Sequence, residues 1–170
     1  MKTEIFPIVD INGHVLSKAT RGECHSGSFL LHPVVHLHLL DSNGRLYLQK
    51  RSETKDIQPN KWDTSVGGHV DYGETIEEAL RREAKEELGL TGFEPVFMHR
   101  YVFRSDVEAE LVNSYYVLGD FTPLPDPVEI SEGRYWTADE IENAMGKGLF
   151  TPNFEDEFRQ LVAAGLLPVR

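Results

Sequence analysis

A chain of 170 residues, 40% hydrophobic and 26% charged, has enough material for a substantial core and describes one globular domain over 1–170. Its formal net charge of −11 argues against a nucleic-acid polymer or an anionic membrane as partner, since either calls for a basic footprint. One cysteine, Cys24, excludes an intramolecular disulfide. With no apolar stretch of signal-peptide or membrane-spanning length, a cytoplasmic location is the simplest expectation. Oligomeric state is left open, a homodimer included.

Residues 4–18 predict two short strands around Asn12-Gly13, a dipeptide suited to hairpin turns. PVVHLHLLDSNGRLYLQKR predicts a second pair around Asp41–Gly44. In its first strand Val35, Leu37 and Leu39 share one face, with His36 and His38 on the other. Those two histidines read as polar residues on a half-exposed face. Residues 52–63 read as a polar loop containing Pro59.

A helix is predicted after Thr75, which forms a capping-box pair with Glu78, and Gly89 suits the left-handed position just past its end. At roughly 100° per residue, with Ile76 at zero, Ala79 and Leu80 define the buried stripe. Glu83 and Glu87 then fall within about 20° of its centre, and Glu86 lies about 80° away. All three are expected to project toward the protein body, where unpaired carboxylates are very costly. Hard divalent cations take such oxygen ligands, so a metal is the natural expectation.

EPVFMHRYVFR and LVNSYYVLGDF alternate apolar and polar residues and predict two further strands. Phe93, Phe97, Tyr101 and Phe103 offer stacking surfaces for a base, although aromatics on strands are more commonly core. PLPDPVEISEG reads as a loop. Thr137 with Glu140 predicts a short helix ending near Gly146, and a final helix follows Thr151-Pro152 with Phe154, Phe158, Leu161 and Val162 on one stripe. Two groups of strands with few helices predict an α/β fold with a mixed sheet.

The segment 68–90, GHVDYGETIEEALRREAKEELGL, resembles an intact Nudix box: Gly68, Glu74, then Arg82-Glu83-Ala84-Lys85-Glu86-Glu87-Leu88-Gly89-Leu90. The resemblance implies an α/β/α sandwich and a hydrolase that cleaves a small diphosphate compound with Mg²⁺ or Mn²⁺. It also implies that Glu83, Glu86 and Glu87 hold metal and water, with the Gly68 carbonyl completing the site. Arg82 is expected to tether the acidic cluster and Glu74 to shape the loop–helix junction. One further acid from outside the box is expected among Glu108, Glu110, Glu129 and Glu132. Glu110 is preferred because it directly precedes a strand.

DINGHVLSKATRGECH, GRLYLQKRSETKDIQPNKWDTSVGGH and YWTADEI resemble the isopentenyl-diphosphate isomerase branch of the same superfamily. That resemblance implies a second metal site from His25, His32 and His69. It also implies that Arg51 and Lys55 approach the diphosphate. The isomerase cysteine before the glycine–histidine pair is replaced here by Gly67, which has no group to transfer a proton. The expectation is therefore an isomerase-like scaffold that hydrolyses diphosphates. An isomerase and a non-catalytic sensor of a nucleotide metabolite are the alternatives.

Overall fold

The computed structural model describes residues 3–170. The chain opens with a hairpin, β1 (Ile5–Val9) against β2 (Val15–Thr20), whose turn needs the positive φ of Gly13. A single helical turn, α1 (Arg21–Cys24), follows under a capping box made by Thr20 and Glu23. The main sheet is built on β3 (Leu31–Leu40) and β4 (Leu46–Arg51), then β5 (Trp62–Asp63) and β6 (Val66–His69). Helix α2 (Ile76–Leu88) precedes β7 (Val96–Arg104), β8 (Ala109–Leu118) and β9 (Ile130–Trp136). Helices α3 (Ala138–Ala144) and α4 (Pro152–Ala163) close the chain.

The sheet runs β5-β4-β3-β8-β7, with β6 also pairing β3 and β9 also pairing β4. Only β3 and β8 run parallel among these pairs, so the sheet is mixed. Alternation along β3 and β4 divides the interior into two layers. Val35, Leu37, Leu39 and Tyr47 pack with Ala79, Leu80, Ala84 and Leu88 of α2. Leu40, Leu46 and Leu48 pack on the other side with Ile141, Phe154, Phe158 and Leu161 of α3 and α4. The result is an α/β/α sandwich. Truncating a wholly buried side chain such as Leu80 would cost roughly 2–5 kcal/mol.

Three sequence expectations need correction. PLPDPVEISEG is not loop throughout, because Ile130 begins β9, which continues the sheet beyond β4. The polar loop after Arg51 ends two residues early, with Trp62–Asp63 pairing β4. His36 and His38 are buried, not half exposed. Their face of β3 is covered by α4, which supplies a carboxylate for both. Val162 remains exposed at the margin of the α4 stripe, while Phe154, Phe158 and Leu161 are buried as expected.

Candidate active site

Both ends of α2 are fixed as the sequence predicts. Thr75 accepts from the Glu78 amide at 3.1 Å, Glu78 accepts from the Thr75 amide at 3.0 Å, and Gly89 caps the end at φ 65°. This sets the rotation of the helix, and with it the direction of the glutamates. Glu83 is 15% exposed and lies against Gly68, where any Cβ would overlap its carboxyl group. Glycine at 68 therefore leaves the room in which the Glu83 carboxyl group sits.

Glu87 reaches under β6. Its Oε1 accepts from Gln49 at 2.7 Å and lies 3.5 Å from the Gly67 amide, while Oε2 is buried without a partner among the described residues. Burial, then the neighbouring Glu83 carboxyl, raises the pKa of Glu87 well above the usual range, and Gln49 and Gly67 only partly oppose this. Glu86 departs from expectation. Its side chain is 59% exposed, at the rim, because an offset of about 80° carries it off the buried arc.

Arg82 links these groups. It pairs with both Glu74 oxygens at 2.8 and 2.9 Å, donates to the His69 carbonyl at 3.0 Å, and reaches Glu83 at 2.7 Å and Glu86 at 3.4 Å. A bidentate guanidinium–carboxylate pair fixes geometry as well as charge. Glu74 also accepts from the Asp71 amide, so it holds the loop–helix junction.

A second cluster forms where β6 and β8 flank β3. His69 lies opposite Val34, and Glu110 lies opposite His32. The ring nitrogens of His25, His32 and His69 and a carboxylate oxygen of Glu108 all lie within 4.8 Å of one another. Glu108 Oε2 lies 2.7 Å from His25 Nε2 and 3.5 Å from His32 Nε2, within ion-pair reach, while none of these buried atoms, nor His69 Nε2, makes a well-directed hydrogen bond among the described residues. His32 Nδ1 donates to the Leu30 carbonyl at 2.9 Å, which turns Nε2 toward the cluster. Burial lowers the basicity of His25 and lowers that of His69 strongly, favouring neutral, ligand-competent rings. For His32 burial is outweighed by its bonds to Glu108 and Leu30. Phe6 stacks on His69 at 4.5 Å and walls the cluster off on one side.

The four convergent ligand atoms fit a cation. So does the Glu83–Glu87 pair, whose mutual repulsion Arg82 relieves only on the Glu83 side. The resemblance to the isomerase branch implied the three histidines as a group, and Glu108 was not read as their partner. The signal was available, since Glu108 and Glu110 stand two apart at the start of a strand and share one face.

Glu110 is 12% exposed, with Oε2 3.9 Å from His69 Nε2. Burial and the Glu108 charge, opposed by His36 and His32, lift it to about 7. The other outside acids are placed differently: Glu132 is exposed, and Glu129 pairs with Lys55. Arg51 lies 3.5 Å from Asp63 and donates to the Ile57 carbonyl at 3.1 Å. Both proposed phosphate clamps are therefore held by acids in this state. Of the four aromatics, Phe93 is core, Phe97 is exposed and Phe103 half-buried on β7, and Tyr101 bonds to α4.

The description "NUDIX domain" matches residues 30–154 of this sequence, which takes in the box, both flanking strand pairs and the start of α4. The chain belongs to that family. An uncharacterised Nudix hydrolase of Streptomyces coelicolor is 30% identical to it over 94% of this chain and 89% of its own length. An isopentenyl-diphosphate Delta-isomerase of Brevibacterium linens is 28% identical over 93% and 91% respectively. Among solved structures, a Deinococcus radiodurans protein superposes with a TM-score of 0.77 at 28% identity, covering 92% of this chain and 98% of its own. The Nudix domain thus has near-full-length relatives named for both hydrolase and isomerase activity. No helix among the described residues is long and apolar enough to cross a membrane.

Proposed function

We propose that this Nudix protein hydrolyses the phosphoric anhydride bond of a small organic diphosphate, of nucleoside-diphosphate type or another. The observation that carries the reading is the Glu83–Glu87 pair: two adjacent carboxylates, one with a buried orphan oxygen, pressed against Gly68 and braced by Arg82. Glu83, Glu87 and the Gly68 carbonyl would hold Mg²⁺ or Mn²⁺, with Glu86 contributing from the rim. The bound ion supplies charge neutralisation at phosphate oxygens and acidifies water. Arg82 keeps the Glu83 carboxylate aimed. Glu110 accepts the proton of the attacking water, and its burial favours a carboxyl that can both take and return one. Arg51 and Lys55 exchange Asp63 and Glu129 for substrate phosphate. His25, His32, His69 and Glu108 would hold a second cation.

The isomerase reading is favoured by the histidine cluster and by relatives of that name. It is disfavoured by Gly67, since moving a proton on and off carbon needs a paired acid and base across the alkene. The sensor reading predicts saturable binding without turnover. A turnover screen over nucleoside triphosphates, dinucleotides, nucleotide sugars, coenzyme A and isoprenoid diphosphates, with Mg²⁺ or Mn²⁺, tests the proposal. Isopentenyl diphosphate is also incubated in deuterated water and followed by NMR. Dimethylallyl product at a catalytic rate, with no phosphate release from any panel compound, would overturn hydrolysis.

A further inference from the structure

Glu157 is wholly buried on the inward arc of α4, between Phe154 and Phe158. A carboxylate there is tolerable only if fully paired. Three donors surround it: His36 Nδ1 at 2.9 Å and the Tyr101 hydroxyl at 2.5 Å on Oε1, and His38 Nε2 at 2.5 Å on Oε2. None of these residues lies in the box.

His36 does not end at that carboxylate. Its opposite edge faces Gly67, where a Cβ would lie 3.4 Å from Cδ2 and 3.7 Å from Nε2. Nε2 makes no hydrogen bond among the described residues, yet it is not among their fully buried unpaired atoms. Gly67 is exposed, and its amide lies 3.5 Å from Glu87 Oε1, so the Gly67 backbone stands between the opening on the α4 face and the carboxylate pair on the α2 face. A side chain at position 67 would cover the edge of the ring; glycine leaves it open. The charged and titratable groups around the ring are Glu157 from α4, Asp63 from β5, Glu110 from β8, Tyr101 from β7 and His38 from its own strand. Burial depresses the basicity of His36, but Glu157, helped by Asp63 and Glu110, outweighs this and lifts it to about 9. Both ring nitrogens then carry protons at neutral pH, and Nε2 is a charged donor.

We infer that His36, positioned by Glu157, donates a hydrogen bond from Nε2 to an anionic oxygen of the substrate in the gap left by Gly67. The inference deepens the hydrolase reading and rests on it for the identity of the anion. It gives the absent side chain at 67 a purpose: the space that an isomerase-type cysteine would fill becomes an anion contact.

The test uses the isotope-labelled full chain, with the His36 ring nitrogens assigned by their loss in His36→Gln. Millimolar inorganic pyrophosphate should shift the Nε2 resonance of His36. The same shift should be lost in Gly67→Ala, which removes no buried polar group and so keeps the fold. On whichever panel compound the wild type hydrolyses, His36→Gln and Gly67→Ala should each lose roughly ten- to a hundredfold in kcat/KM, the scale of a hydrogen bond to a charged group. Their double variant should lose no more than either single one. Glu157→Gln should reproduce part of the loss and alter the pH profile, which mere packing damage would not do. An unmoved Nε2 resonance, or wild-type kcat and KM in both single variants, overturns the inference. Failure of the hydrolase reading looks different: no panel compound is turned over, while the pyrophosphate-induced shift remains.

Discussion

Glu157→Gln isolates the buried charge network, because it keeps the size and shape of the side chain while removing its charge. The magnitude follows from His36, which is nearly covered and is lifted from 6.5 to about 9 chiefly by Glu157. That difference is about 2.5 units at about 1.36 kcal/mol each, or about 3 kcal/mol. His36 is raised, so its contribution is fully present below about pH 6.5 and is lost as pH rises through about 9. Glu157 is depressed well below 4.5 by the two histidines despite burial, so its contribution is present above 4.5 and fades only as pH falls through that lower value. Both are intact together between about pH 4.5 and 6.5. Urea unfolding near pH 6 should therefore show the variant less stable by about 3 kcal/mol, with most of that gap closed near pH 9. For a chain of this size, the pH 6 loss corresponds to a melting point lower by roughly 6–12 °C. A gap that stays constant with pH would refute the assignment of the effect to the His36–Glu157 charge pair and leave only lost packing.

Glu87→Gln should abolish turnover and Mg²⁺ affinity yet raise the melting temperature in EDTA at neutral pH. Glu87 is held above its usual range by burial and Glu83, so the native state disfavours its charge. A melting temperature no higher than wild type in calorimetry would contradict this. Gly68→Ala should displace the Glu83 carboxyl group and lower metal affinity by at least tenfold in titration calorimetry, with the fold kept by circular dichroism. Arg51→Ala and Lys55→Ala should mainly raise KM, as loss of uniform ground-state binding does. Unchanged kinetics in both would leave them as partners of Asp63 and Glu129 alone.

The long strands β3, β4, β7 and β8, both ends of α2 and the inward direction of Glu83 and Glu87 were legible in the sequence. Capping boxes, a terminal glycine and 3.6-residue periodicity are local signals, and local backbone physics decides them. Glu86 shows the limit of the helical wheel, which gives an angle but not where the neighbouring surface ends. Strand β9 was hidden because a proline-rich approach reads as loop until β4 is there to pair with it. The histidine cluster needed β3 between β6 and β8, an adjacency that no spacing along the chain expresses.

Glu157 is the clearest case. It stands at the inward i+3 position of the Phe154, Phe158 and Leu161 stripe, and His36 and His38 alternate on a strand over 100 residues earlier, with nothing along the chain to join the two. A buried charge and two buried histidines account for each other only when α4 is laid on that face of β3. The chain by itself determined which surfaces seek burial and that Glu83 and Glu87 face inward. Tertiary packing decided which polar groups would share one low-dielectric space, because the cost of burying a charge depends on partners that the chain brings from elsewhere.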